Sequence, residues 1–300
     1  MTFQGVHGAH GCDQQYVMRT DGSGMRRISN GLGRTTCGWW LAGDRRILFS
    51  STFASDPHCP RKPDMSQGYV WPVYPTYCIY SVKPNGSDLK RLFPRTLRPG
   101  ELPGYNAESV VSPDGMRITF TSSRGGDLDV WVMNVDGTHA KQLTHALGYN
   151  GGPWWSPDGK RIVYRAYHPK GAAAVAEYKR LLAKHLVRPT TLDLFVMNAD
   201  GSHNVQVTHD RAANIANFAP TWSPDGKWLV FASNRADKQR MRFDLWRIRP
   251  NGSGLERLTW GGFFDAFPCF SPNGKQIAWI SARGAKQPDE TNVFIADWRP

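Results

Sequence analysis

Residues 151–165 read GGPWWSPDGKRIVYR. The core of the stretch, Ser156-Pro157-Asp158-Gly159, is built as a turn between two apolar segments. Proline presets φ at the second turn position, and glycine supplies the positive φ that closes a hairpin. Nearly the same words return at 220–233 as PTWSPDGKWLVFAS. A turn repeated together with its flanks marks a repeated supersecondary unit.

The chain laid against itself yields that unit. An apolar entry leads to SPDG and an apolar strand; a second strand then ends in Asp-Gly or Asn-Gly, and a short strand ends near Leu-Thr. The cleanest copies cover 108–144, 152–208, 220–259 and 268–298, and a weaker one covers 38–93. The turn serines Ser112, Ser156, Ser223 and Ser271 are 44, 67 and 48 residues apart. A period in the forties predicts four short strands per unit, the spacing of propeller blades. RIVYR, WLVFAS and QIAWIS are β-branched and aromatic, as sheet interiors prefer. Six copies of the Asp-Gly strand family occur against five SPDG-type hairpins. The N-terminus is therefore expected to start inside a blade, with MTFQG as the tail of a second strand, QQYVMR a third and RRIS a fourth. The C-terminus stops after a third strand. Six blades is the prediction; five blades with an extra N-terminal hairpin is the alternative.

The words SPDGK, VMNADGS and the Leu-Thr ending resemble the repeats of the TolB-like six-bladed β-propeller family, over nearly the whole chain. The resemblance implies an all-β propeller, one domain over 1–300. TolB itself is a periplasmic protein that binds partners at the outer-membrane peptidoglycan layer. Similar propellers occur as secreted modules, some beside peptidase domains. No TolB N-terminal domain is recognisable here, so TolB's own role does not carry over. The missing first inner strand leads us to expect a natural chain extending upstream of residue 1, where an export signal would lie.

Composition sets further bounds. The chain has 300 residues, 40% of them apolar and 12% aromatic, enough for a sizeable core. No apolar run has the length of a membrane span, and MTFQGVHGAH is not a signal peptide. The net charge of +12 suits an acidic or membrane-associated protein partner, although with no run of five or six basic residues it reads first as Lys and Arg spread over solvated turns. Nothing interleaves basic and aromatic residues in a recognisable module, so nucleic acid is not the expected partner. Five cysteines contain no CxxC. Cys12 with Cys37 and Cys59 with Cys78 are the expected disulfides, and Cys269 is expected buried and free; five reduced thiols is the alternative.

Two inserts break the period between the second and third strands of a blade, and both are expected to project from one rim. One, 53–78, is rich in Pro and Tyr. The other, 168–191, predicts a helix near 172–186, with Val175, Tyr178, Leu181, Leu182 and His185 near one face and Pro189 stopping it.

No GxSxG, HExxH, P-loop or Rossmann glycine pattern occurs. His7 and His10 read as part of a solvated N-terminal segment, with a metal-binding pair as the lesser alternative. The loops entering each inner strand carry the candidate ligand-binding residues Arg34, Asn106, Glu108, Tyr149, Asn150, Asn217 and Asp265, with Gly151, Gly152 and Ala219 beside them. In a propeller these loops gather at one mouth of the channel; the competing reading is that Asn and Gly there satisfy turn geometry and cap channel waters. The leading reading is a non-enzymatic periplasmic or secreted binding scaffold, monomeric by itself, needing no cofactor, with a divalent cation such as calcium as the one candidate ion. Two others stay open: a hydrolase or lyase using Glu108 and Asp265 as an acid/base pair, and the propeller module of a larger peptidase.

Overall fold

The computed structural model describes residues 1–8, 10–66, 68–287 and 290–299. The chain is all-β, a six-bladed β-propeller arrangement with one short α-helix among the described residues. It divides into two compact units, Met1–Pro153 with His168–Arg188, and Trp154–Tyr167 with Pro189–Pro300.

In the first unit, the first sheet holds three antiparallel strands, Thr2–Gly5, Gln14–Val17 and Arg26–Arg27. These are the second, third and fourth strands of a blade, where the sequence put them. The next sheet runs Thr35–Trp40, Ile47–Ser51, Cys78–Val82, Lys90–Phe93. The third runs Asn106–Val111, Arg117–Ser122, Asp129–Asn134, Lys141–Gln142. The chain leaves this unit along the inner strand Tyr149–Trp155. In the second unit, Arg161–Tyr167, Asp193–Asn198 and Val205–Gln206 pair in order. Asn217–Trp222, Leu229–Ser233, Asp244–Ile248 and Glu256–Arg257 form the next sheet, and Asp265–Phe270, Gln276–Ser281 and Asn292–Asp297 the last.

Alternation along each strand builds the packing. Ile47 and Phe49 join Val17, Ile28 and Tyr80 in one buried cluster, while Leu48 between them joins Ile79, Phe120 and Met133 in another. A period of two sends successive side chains to opposite sheet faces, so every middle strand must be apolar on both. In the second unit, Val163, Leu194, Trp222, Leu229 and Phe231 make the matching cluster. Each such side chain, fully buried, stabilises by roughly 1.5–3 kcal/mol.

The repeated turn has a local chemistry. Ser156 Oγ donates to Asp158 at 2.5 Å and accepts from the Arg161 backbone N–H at 2.9 Å. Ser223 and Asp225 repeat the arrangement. The bond from Ser156 holds the Asp158 carboxyl below the usual carboxylate range. Gly159 and Gly226 sit at φ +66° and +68°, where an L side chain is strained.

The two inserts meet. Leu186–Val187 of the second pairs antiparallel with Trp71–Pro72 of the first, and the Val73 N–H reaches the His185 carbonyl at 2.8 Å. The helix spans Ala172–Leu182, ending four residues before the expected 186. The chain turns out of the helix because 186–187 are needed as a strand, and His185 takes a positive φ of 57° at the bend. His185 and Val175 are not in the buried face; Tyr178 and Leu181 are. Tyr178 donates its hydroxyl to Asp127, which also accepts from the Gly148 N–H at 2.9 Å. Burial, and then Asp127, pushes the Tyr178 hydroxyl pKa up.

The disulfide expectation is corrected. Cys12 bonds Cys59, with Cα atoms 5.8 Å apart, and Cys37, Cys78 and Cys269 are in no disulfide. Cys78 opens the middle strand Cys78–Val82, fully buried among Val17, Phe49 and Tyr80, so it serves as core. Cys37 lies within an inner strand. The first insert folds back to place its start against the loop that enters Thr35–Trp40, where the Gly33 N–H meets the Pro57 carbonyl at 2.7 Å, and Cys59 thereby reaches Cys12 in the loop after the first strand. Cys269 is only half-buried by surface, and burial still raises its thiol pKa to about 11. For the 47-residue separation, chain entropy gives about 4 kcal/mol of stabilisation. Cys12→Ser with Cys59→Ser should lose most of that in urea unfolding under oxidising conditions; an unshifted midpoint would count against the bridge.

Candidate functional site

Each inner strand breaks its ladder at the same place. Two residues after its first register residue stands one with positive φ: Cys37 at 57°, Glu108 at 59° and Gly152 at 59° in the first unit, Ala219 at 49° and Phe267 at 55° in the second. Register shifts accompany them at Thr36/Trp39, Thr119/Thr121, Phe218/Thr221 and Ala266/Cys269. A bulge bends the strand and re-aims one side chain. A left-handed residue other than glycine costs about 1 kcal/mol, and four of the five positions bear it. The only sequence signal for this device is Gly152.

The register residues themselves are fasteners. Asn106, Asn150, Asn217 and Asp265 are all 0% exposed, so none offers surface to a ligand in this structure. Asn106 Nδ2 donates to the carbonyls of Tyr77 and Pro103 at 3.0 and 2.8 Å. Asn150 Nδ2 donates to the Ala146 carbonyl at 3.0 Å, and its Oδ1 meets His168 Nε2 at 2.7 Å. Asn217 Nδ2 donates to the Leu192 carbonyl and to Asp210, while Arg235 donates to its Oδ1 at 3.2 Å. Asp265 stands where three other inner strands have asparagine and one has Thr35. Its oxygens have no hydrogen-bond partner among the described residues, and the Arg283 guanidinium lies 3.9 Å away.

In the first unit two of the other three predicted residues, Glu108 and Tyr149, meet directly, and Arg34 is linked to them through Tyr77 and Tyr105. Glu108 accepts from Thr121 Oγ1 at 2.6 Å, the Gly152 N–H at 2.9 Å and Tyr149 Oη at 3.1 Å. Gly151 is required there: a Cβ would meet the Tyr149 hydroxyl at 2.5 Å and Glu108 at 2.8 Å. Arg34 pairs with Asp13 at 2.7 Å. Burial opposes its charge, but Tyr77 and Asp13 outweigh that and raise its pKa. Tyr77 and Tyr105 complete the patch, their hydroxyl pKa values raised first by burial. Sequence reasoning missed both tyrosines because each belongs to the loop before a strand rather than to the repeat. A half-buried carboxylate among neutral donors suits an ammonium or hydroxyl group. Glu108 and Asp265 fall in different units, so the acid/base pair gains no geometric support. Among the described residues no three His, Cys, Asp or Glu side chains gather as a metal site.

The second unit carries an aromatic surface on the corresponding loops. Phe218 packs its ring against Phe243, Phe264 and Phe267 at 4.9, 6.2 and 5.6 Å. Phe267 is 52% exposed, Trp260 62% and Met241 74%. Arg283 lies over the Phe263 ring at 5.4 Å and donates to the Trp260 carbonyl.

Two outcomes follow. Asn217→Ala strips partners from Asp210 and Arg235, and should cost about 2 kcal/mol in chemical unfolding; a change below about 0.5 kcal/mol would deny the fastening role. Asp129 is 3% exposed and accepts from Thr144 and Gln142. Burial raises its pKa from 3.8 to about 6, Thr144 opposing and Asp127 adding. A raised carboxyl stabilises the fold below the unfolded value and loses that contribution as pH rises through the folded one. The stability of the protein relative to Asp129→Asn should therefore fall between pH 3.8 and about 6; a constant difference would refute the shift.

Comparison with known proteins agrees with this architecture. The model of the TolB beta propeller domain family matches residues 170–297. An uncharacterized protein of Agrobacterium fabrum is 28% identical over 178 residues, 59% of this chain and 51% of its own length. The uncharacterized peptidase YuxL of Bacillus subtilis is 30% identical over 142 residues, 41% of this chain and 21% of its own. The chain thus spans about half or less of the curated relatives it matches. The crystal structure of TolB from Acinetobacter baumannii superposes with a TM-score of 0.65 at 16% identity, covering 95% of this chain and 57% of that one. The repeats, the blades and the matched domain agree: residues 170–297 match the TolB beta propeller domain family, and the chain as a whole is similar to the TolB-like β-propellers.

Proposed function

We propose that this protein is a periplasmic or secreted binding scaffold that docks an acidic protein partner on the entry loops of the second unit, residues 1–300 acting as one propeller domain. The observation that carries the reading is the exposed group Trp260, Phe263, Phe267 and Met241, rimmed by Arg242 and Arg283. Aromatic, Met and Arg side chains are the types that dominate protein interfaces, and exposed apolar clusters of this kind mark them. The net charge of +12 favours an acidic partner through faster encounter. The Cys12–Cys59 bridge supports an oxidising compartment. The Arg34–Glu108–Tyr149 patch is a second contact surface, for hydroxyl or ammonium groups, and needs no cofactor.

A photo-crosslinker placed at Trp260 should trap an acidic polypeptide from an envelope fraction. Trp260→Ala with Phe267→Ala should weaken that complex by about 100-fold or more while leaving the thermal midpoint in place. Undiminished affinity in the folded double variant would sink the reading. The similarity to YuxL favours a second one, a propeller that filters substrate for a peptidase. Peptide hydrolysis by the protein expressed from its complete reading frame would support that role, and inertness toward peptides would remove it.

A further inference from the structure

The antiparallel meander gives the second unit a different surface at the other end of its strands. The turns at 224–227 and 250–253 lie there, remote from the loop 258–264 that bears Trp260 and Phe263. Between these turns and the blade before them runs a groove of about 570 Å³. Arg161, His203, Lys227 and Arg249 line it, and no acidic side chain does. Its remaining walls include Val196, Val205, Met197 and Pro250.

The two arginines are preorganised. The Arg161 guanidinium lies over the Trp222 ring at 4.5 Å, and Arg249 lies over Trp228 at 4.5 Å. Stacking on an aromatic face fixes the plane of a guanidinium and leaves its N–H edge outward. Neither guanidinium has a hydrogen-bond or ion-pair partner among the described residues, although Arg46, Arg235, Arg247 and Arg257 elsewhere are all paired. Lys227 is held 3.7 Å from its own turn residue Asp225, which sits outside the lining. Two oriented forks and an ammonium beside an apolar wall are the chemistry that recognises phosphate oxygens attached to an organic group.

We propose that this groove is a binding site for a phosphate-bearing ligand, the phosphate held by Arg161 and Arg249 with Lys227 beside them, and the attached group against Val196 and Val205. Free phosphorylated molecules and phospholipid headgroups share this chemistry. The site is independent of the aromatic surface, and its variants leave Trp260 and Phe267 untouched.

Calorimetry with inorganic pyrophosphate, and co-sedimentation with phosphatidylglycerol vesicles against phosphatidylcholine vesicles, test it on the full chain. Binding of pyrophosphate supports a soluble ligand; binding of phosphatidylglycerol vesicles alone supports a headgroup. Arg161→Gln with Arg249→Gln should weaken either by about tenfold or more, and Arg161→Lys with Arg249→Lys should fall between, since an ammonium keeps charge and loses the fork. Should loss of the stacks unfold the Gln variant, Lys227→Gln leaves both stacks intact and should still weaken binding several-fold. A wild type blind to both probes overturns the proposal. So does equal affinity for citrate, preference for duplex DNA, or unchanged affinity in the folded variants.

Discussion

One hydrogen bond recurs at the blade junctions within each unit, and the rest of the structure is arranged around it. The residue opening an inner strand reaches the carbonyl just before the third strand of the preceding blade. Thr35 N–H meets Asp13, Asn150 N–H meets Leu128, Asn217 N–H meets Leu192 and Asp265 N–H meets Phe243, all near 2.9 Å. Asn106 makes the same reach with its side chain, to Tyr77. Each bond is buried, so losing its partner would leave a desolvated polar group at a cost above the bond's own net value. This fixes the height of one blade on the next, and the apolar clusters between sheets can then interdigitate in only one register.

The bulge follows from that fastening. An inner strand is pinned at its first residue by the neighbouring blade and paired along its length with the second strand. One extra residue, taken up two positions on, absorbs the mismatch. The position has no fixed side-chain chemistry: thiol, carboxylate, hydrogen, methyl and phenyl occupy it in turn at Cys37, Glu108, Gly152, Ala219 and Phe267. Backbone geometry is constant while the presented group varies, which is how a repeat scaffold separates folding from recognition. In the first unit the presented group is a carboxylate held by neutral donors; in the second it is an exposed ring backed by three others.

The inserts show the same separation at larger scale. Neither contains enough apolar residues to fold alone. Paired as a two-stranded sheet, capped by the helix and tied to the third blade through Tyr178 and Asp127, they become one element. The Cys12–Cys59 bridge closes the first insert onto the opening blade. Segments more than 100 residues apart in the sequence therefore share one small layer.

The sequence by itself determined the blades. Turn residues with fixed φ requirements, strands of β-branched and aromatic residues, and a period in the forties specify local structure, and local structure repeated in register leaves few folds open. It also determined that the chain begins partway through a blade, because MTFQG, QQYVMR and RRIS each carry a strand's pattern. Only the tertiary structure decided what happens between repeats. Cys59 was within reach of Cys12, not Cys78, because the insert folds back, and no spacing rule encodes that. Asn106, Asn150, Asn217 and Asp265 read as ligand groups because polar residues in loops usually face solvent, whereas the fold buries all four and the three asparagines spend their amides on neighbouring carbonyls and side chains. The helix ended at Leu182 because a strand 115 residues upstream needed 186–187 as its partner. Pairings of this kind depend on distance in space, which periodicity along the chain does not carry.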